Sequence, residues 1–307
     1  MMSKKLIFGI QKYQYLRDEI AHLGNFEKGD VEVKYFPDGE RYQRVITPST
    51  GRDIFLVGGT VNDNDTLELY DLACALVKHG ANSLTLIIPY FGYSTMERSI
   101  IPGEVITAKT RARIISVIPR SSVGNKVIFL DLHSDGIPQY LEGDIRHIHL
   151  YAKETIIESA REIAGDREFV LACTDAGRAK WVESLANDLG VNAAFVFKRR
   201  LSGDKTEVTS ISADVKGKYV IIYDDMIRTG GSLINAAKAY LDAGGLKVGA
   251  ITTHGVFPAN AVQRIKDSGY FCQLICTNSH PNAIAIQDDF LKVKSIAPLI
   301  TNKLLEL

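Results

Sequence analysis

The chain has 307 residues, enough for two domains at roughly 100–200 residues each. Hydrophobic residues make up 46% and charged residues 23%, which excludes a disordered chain; about three quarters of the unfolded surface can be buried at this length without disulfides or a structural metal. Lys plus Arg and Asp plus Glu both number 36, so the formal charge is zero, which argues against a general nucleic-acid or membrane-surface binder but leaves room for a local cationic pocket.

After Met1-Met2-Ser3-Lys4-Lys5 comes the short apolar run Leu6-Ile7-Phe8-Gly9-Ile10. It is too short for a signal peptide, and no stretch of the sequence approaches the ~20 apolar residues of a membrane span. A cytoplasmic protein is expected. The cysteines (Cys74, Cys173, Cys272 and Cys276) form no CxxC pair and read as small apolar core residues rather than a zinc site.

A buried strand is expected over 53–59, followed by an amphipathic helix over about 65–78 with Leu67, Leu69, Leu72, Ala73 and Leu76 apolar. Next come a strand over 83–88, a helix over about 104–118 and a strand over 126–131. The pattern then restarts with a strand over 169–173, a helix over about 178–189, and strands over 193–197 and 218–223. A helix over 231 to about 243 and a strand over 247–253 follow. Continuous apolar runs, as opposed to alternating ones, indicate strands covered on both faces by crossover helices. Two α/β domains, each a mainly parallel sheet flanked by helices, are therefore expected to meet near 145–152.

Polar residues gather where these strands end: Pro89-Tyr90-Phe91-Gly92-Tyr93, Asp131-Leu132-His133, Cys173-Thr174-Asp175 and Tyr223-Asp224-Asp225. Ligands of open α/β sheets bind beyond the carboxyl ends of the strands. The strongest motif is Tyr223-Asp224-Asp225-Met226-Ile227-Arg228-Thr229-Gly230-Gly231-Ser232. Its glycines let backbone N–H groups approach an anion, its hydroxyls add donors, and the following helix supplies partial positive charge. Two carboxylates beside that cradle suit vicinal sugar hydroxyls or Mg²⁺. Thr-Gly-Gly-Ser alone would read as an ordinary helix cap; joined to a buried strand and both acids, it describes a sugar-phosphate pocket. A side chain at Gly230 is expected to fill the phosphate's space without disturbing the fold.

This segment resembles the phosphoribosyl pyrophosphate signature of phosphoribosyltransferases and ribose-phosphate pyrophosphokinases. The resemblance to the pyrophosphokinases extends over nearly the whole chain, through Phe36-Pro37-Asp38-Gly39-Glu40, Pro89 to Tyr93, Asp131-Leu132-His133, Thr174-Asp175-Ala176-Gly177, Lys198-Arg199-Arg200 and Thr253-His254-Gly255-Val256-Phe257. It implies two phosphoribosyltransferase-like domains, 1–147 on the ATP side and 148–307 on the ribose 5-phosphate side, with a last helix packing back on the first. The implied reaction moves the β,γ-pyrophosphoryl group of ATP to the C1 hydroxyl of ribose 5-phosphate. Asp224 and Asp225 would then hold the ribose hydroxyls, with Arg228, Thr229, Gly230, Gly231 and Ser232 around the 5-phosphate. Phe36, Asp38, Glu40 and Arg98 would hold ATP, and His133 and Asp175 would position Mg²⁺. Lys198 and Arg200 would close over the transferring group from a loop after 193–197. A homo-oligomer is implied, because in the family the Phe36-type loop comes from a neighbouring subunit.

Three places depart from the family's commonest form. Thr95-Met96 stand for Arg-Gln, Arg228 for an Asp, and Gly177-Arg178 for paired glycines. Together with Glu97-Arg98 and Trp181, they resemble the divergent plant-type branch, which is less dependent on phosphate and less strict about the nucleotide donor. A phosphoribosyltransferase, or a catalytically silent regulatory paralogue, remains the alternative.

Overall fold

The continuous apolar runs become strands buried on both faces, in a computed structural model that describes residues 5–174, 176–202, 205–211 and 214–307. Two units divide the chain, Met1–Tyr151 with Ala297–Leu307, and Ala152–Ile296. The first begins with β1 (Leu6–Gly9), α1 (Gln14–Gly24) and β2 (Glu27–Lys28), followed by a hairpin of β3 (Val31–Tyr35) and β4 (Arg41–Val45). Then come β5 (Asp53–Val57), α2 (Asp63–Lys78), β6 (Ser83–Ile88), α3 (Thr107–Ser116), β7 (Asn125–Leu130) and β8 (Arg146–Leu150). Among the described residues its main sheet runs β2-β1-β5-β6-β7-β8, parallel throughout. Ile7, Phe8, Leu56, Leu84, Ile88, Val127 and Phe129 fill its core.

The second unit holds α4 (Lys153–Ala164), β9 (Phe169–Cys173), α5 (Ala179–Leu189), β10 (Ala193–Ala194), β11 (Val196–Ser202) and β12 (Lys205–Ile211). It continues with β13 (Tyr219–Ile227), α6 (Gly231–Asp242), β14 (Lys247–Gly255), α7 (Ala261–Asp267), β15 (Phe271–Thr277), α8 (Pro281–Ala285) and β16 (Leu291–Lys294). Its sheet, again parallel, has the order β10-β9-β13-β14-β15-β16. The buried Tyr240 hydroxyl donates towards both Cys173 O at 3.0 Å and Ala194 O at 3.2 Å, fixing the carboxyl ends of β9 and β10. The last helix, α9 (Ala297–Leu305), belongs to the first unit, where Lys5 Nζ donates to Leu304 O at 3.2 Å.

Four expectations change. The helix placed from 104 starts at Thr107 because Glu104 Oε2 instead accepts the N–H groups of Ile100 and Ile101 at 2.7 and 2.9 Å. The strand placed at 193–197 breaks into β10 and β11, and the loop placed after it includes β12, paired antiparallel with β11; the β-branched residues Thr206, Val208, Thr209 and Ile211 are the sequence signal for it. β13 runs beyond Tyr223 to Ile227, since Met226 and Ile227 are apolar and buried. Cys272 is exposed, unlike the buried Cys173 and Cys276; burial pushes the Cys276 thiol up to about 12.

Candidate active site

Because β13 continues past its acids, Asp224 and Asp225 sit within a strand, and adjacent strand residues face opposite sides of the sheet. Asp224 is half-buried, and its Oδ2 accepts from Thr174 Oγ1 at the end of β9 at 2.9 Å. Asp225 is 2% exposed. Arg178, just before α5, grips it with a fork: Nε to Oδ1 at 3.2 Å and Nη2 to Oδ2 at 2.7 Å. Burial opposes the guanidinium's charge, but the Asp225 carboxylate outweighs it and holds the Arg178 pKa above its ordinary value. The two acids thus have separate partners, Thr174 for Asp224 and Arg178 for Asp225.

Past Ile227 the chain turns through Arg228 and Thr229, both exposed, into α6. Gly230 caps the helix at φ +78, a left-handed conformation that glycine adopts without strain. A Cβ there would meet Ile265 Cγ1 at 2.6 Å, so Gly230 faces packed side chains and not the cradle. A Cβ on Gly231 would meet only Thr229 Oγ1, at 4.0 Å. The open space expected over Gly230 therefore lies over Gly231, with exposed Ser232 beside it. The late motif supports this turn from behind: the N–H groups of Val256 and Phe257 reach Ile227 O at 3.1 and 3.2 Å. His254 is buried and its Nδ1 lies 2.8 Å from Ser279 Oγ, which donates to Thr253 O at 2.9 Å. This Ser–His pair is structural, since its hydroxyl hydrogen is engaged by backbone.

In the first unit, β7 is followed directly by Asp131, buried at φ 38, and then by half-buried His133. Asp131 N–H bonds Leu150 O at 2.9 Å, and Leu132 N–H donates to His149 Nε2 at 2.9 Å. His149 therefore presents Nδ1 to Asp135, 3.6 Å away, and Tyr151 OH donates to the same carboxylate at 3.2 Å. The sequence reading missed His149, whose signal, His-Ile-His at an edge strand, is weak. Gly92 approaches its neighbours closely: its N–H donates to Thr60 Oγ1 at 2.8 Å, and a Cβ would lie 2.0 Å from Thr60 O.

Phe36, 52% exposed, Asp38 and Glu40 occupy the tip of the β3–β4 hairpin. Glu40 O accepts Phe36 N–H at 2.9 Å, and Asp38 Oδ1 accepts Glu40 N–H at 3.1 Å. Arg98 is exposed beside Glu97 at 3.4 Å; among the described residues no hydrogen bond or ion pair links it to the hairpin tip. Asp175 and the side chains of Lys198 and Arg200 lie outside the described residues; the backbone of Lys198 pairs with Val208 and that of Arg200 with Thr206.

Among the described residues no three His, Cys, Asp or Glu side chains are placed to hold a metal ion. The half-buried carboxylate of Asp224, on the strand that leads into the Thr229–Ser232 turn, suits Mg²⁺, which keeps waters and is bound through one or two carboxylates plus substrate phosphates.

The sequence and fold both have close parallels. Residues 5–118 match the family described as the N-terminal domain of ribose phosphate pyrophosphokinase. Residues 174–305 match the phosphoribosyl synthetase-associated domain. A ribose-phosphate pyrophosphokinase of Chlorobaculum tepidum is 33% identical over 276 residues, 90% of this chain and 83% of that protein. That of Helicobacter pylori is 33% identical over 303 residues, 97% of this chain and 91% of its own length. The crystal structure of phosphoribosylpyrophosphate synthetase from Mycobacterium smegmatis superposes with a TM-score of 0.86 at 26% identity, covering 98% of each chain. The chain belongs to the ribose-phosphate pyrophosphokinase family.

Proposed function

We propose that this protein is a ribose-phosphate diphosphokinase, converting ATP and ribose 5-phosphate to AMP and phosphoribosyl pyrophosphate for nucleotide biosynthesis. The observation that carries this is the carboxylate-bearing strand β13, opening through Gly230 and Gly231 into α6, in a chain whose likeness to the family spans both units. The N–H groups at the start of α6, with Thr229 and Ser232, take the 5-phosphate, and Arg228 adds a cation there. Asp224, held by Thr174, accepts from the ribose hydroxyls. Asp225 acts with it, its charge balanced by Arg178.

Phe36, Asp38, Glu40 and Arg98 bind ATP, and the exposed hairpin tip fits a role completed by a second copy in a homo-oligomer. His133 and Asp175 would help hold Mg²⁺ arriving with the nucleotide, which would supply positive charge to the phosphate oxygens. Lys198 and Arg200, on a hairpin strand, meet the charge that shifts to the phosphoryl oxygens. Glu97-Arg98, Arg178 and Trp181 support a place near the plant-type branch with a relaxed nucleotide donor. No helix of the described residues is long and apolar enough to cross a membrane, in keeping with a cytoplasmic setting. Incubation with ATP, Mg²⁺ and ribose 5-phosphate should yield AMP without any added base. If AMP appears only when a base and phosphoribosyl pyrophosphate chemistry are supplied, or never, the assignment fails.

A further inference from the structure

The segment that follows β6 leads to Arg98 through a strained turn. Gly92, closed against Thr60, is followed by Tyr93 at φ 61, a left-handed conformation that is unfavourable for a bulky residue and persists only where its surroundings impose it. Contacts from two helices hold it. The Tyr93 hydroxyl donates to Asp63 Oδ1, in the first turn of α2, at 2.6 Å. Arg111 Nη2, from α3, donates to the same oxygen at 2.6 Å, and its guanidinium lies over the Tyr93 ring, 4.8 Å from the centroid. Arg111 Nε is buried with no hydrogen-bond partner among the described residues. A strained tyrosine and an unsatisfied donor both cost stability, and a contact that only stapled α2 to α3 would need neither.

Beyond Tyr93 the backbone is tied at each step. Tyr93 O accepts Met96 N–H at 2.8 Å, Met96 O accepts Ala108 N–H at 3.3 Å, and Tyr140 OH donates to Glu97 O at 2.5 Å. Arg98 is the next residue, with its side chain 74% exposed. We infer that Tyr93, Asp63 and Arg111 form a clamp that presents Arg98 to the nucleotide, an inference that rests on the assignment of Arg98 to ATP. All three are positioning residues, acting through Arg98. Their triangle of hydroxyl, carboxylate and guanidinium sets the Tyr93 backbone, the Tyr93 carbonyl holds Met96, and Arg98 follows two residues on. Released from the triangle, Tyr93 relaxes towards negative φ and turns that carbonyl away. A guanidinium meets phosphate oxygens through a planar fork, so a small rotation of the turn is felt as lost nucleotide affinity.

Calorimetric titration of a non-hydrolysable ATP analogue with Mg²⁺ into the full chain, alongside steady-state kinetics, tests this. Tyr93→Phe, which deletes one oxygen, and Arg111→Gln should each weaken the analogue and raise KM for ATP by about tenfold, the worth of one hydrogen bond to a charged group. Ribose 5-phosphate affinity should be unchanged. Arg111→Lys, which keeps the charge facing Asp63, should recover part of the loss. Because the clamp acts through Arg98, Tyr93→Phe combined with Arg98→Ala should bind little worse than Arg98→Ala alone. Should Arg111→Gln fail to fold, the near-isosteric Tyr93→Phe carries the same expectation. A lower melting temperature at unchanged analogue affinity, or losses that add fully in the double variant, overturns the clamp while Arg98 keeps its role. Unchanged affinity in Arg98→Ala removes the nucleotide assignment itself, and the clamp falls with it.

Discussion

Arg178 and Asp225 lie 47 residues apart in the chain, yet they form a two-point ion pair in which the carboxylate is almost wholly buried. The pair ties the start of α5 to the middle of β13, the strand that carries both acids of the proposed sugar site. An acid placed so deeply needs a cation or a proton, and here Arg178 provides the cation.

Removing it should therefore be costly. Breaking a buried pair from one side strands a charge and typically costs about 3–5 kcal/mol. With the Arg178 side chain 22% exposed, Arg178→Ala should fall near about 3 kcal/mol, read as a lower urea midpoint at unchanged slope. Arg178→Lys, which keeps the charge but not the fork, should lose less. A variant as stable as wild type would show that Asp225 is already neutral.

The two glycines of the cradle should separate cleanly. Gly230→Ala forces a side chain into the left-handed region, at about 1–2 kcal/mol, and drives it into Ile265, so stability should drop. Gly231→Ala has room and by helix propensity should gain about 0.5–1 kcal/mol. Its methyl lies over the phosphate space, so ribose 5-phosphate affinity by calorimetry should fall by about tenfold or more, the worth of one hydrogen bond to a charged group. Unchanged affinity would move the phosphate elsewhere.

Lys198→Ala tests catalysis. A cation placed for the transition state typically contributes ~10²–10³ in turnover, so kcat should drop by at least that factor with ribose 5-phosphate affinity little changed. Lys205→Ala, on β12, should be much milder. A rise in KM alone would reduce Lys198 to a binding charge.

Chelation should abolish turnover while leaving the melting temperature of the nucleotide-free protein almost unmoved, because no structural metal cluster is present among the described residues. A large chelator-induced fall in melting temperature would contradict a metal that arrives with substrate.

Glu68 offers a pH test. Burial raises its pKa, with Asp65 adding to the rise and the Gln11 N–H, Arg41 and Lys12 opposing it. Between its ordinary value of 4.5 and the raised one, the folded chain holds more protons than the unfolded chain. Stability is thus greater below that window and declines as pH rises through it. Glu68→Gln, which retains an oxygen for the Gln11 N–H now at 2.8 Å, should remove the decline and raise the denaturant midpoint near neutrality. A variant with an undiminished slope would place the titration on another group.

Strands such as β6 and β9 were legible because parallel pairing under helices buries every residue, and Ser83–Ile88 and Phe169–Cys173 begin and end where their apolar runs do. β8, Arg-His-Ile-His-Leu, was not, because an edge strand tolerates charged and polar residues that erase the pattern. The end of β13 was missed because paired carboxylates look like a strand terminus, and only the burial of Met226 and Ile227 shows otherwise. The acids and the Thr-Gly-Gly-Ser turn are contiguous and so could be read as one motif. Arg178 and Thr174 could not be joined to them, since those contacts exist only once β9 and β13 are neighbours. Which glycine gives space and which gives backbone freedom is likewise a property of the folded turn.

The membership of α9 in the first unit reaches into biosynthesis. That helix packs on α1, and its Leu304 carbonyl is held by Lys5, so segments almost 300 residues apart complete one body. A ribosome releases a chain from its amino end, and domains generally fold as they emerge. Here the interrupting unit, Ala152–Ile296, is fully synthesised before the first unit has its closing helix. The unit begun first is thus closed only after the second has been made, and a chain stopped before α9 would leave α1 with an uncovered apolar face from the moment translation stops.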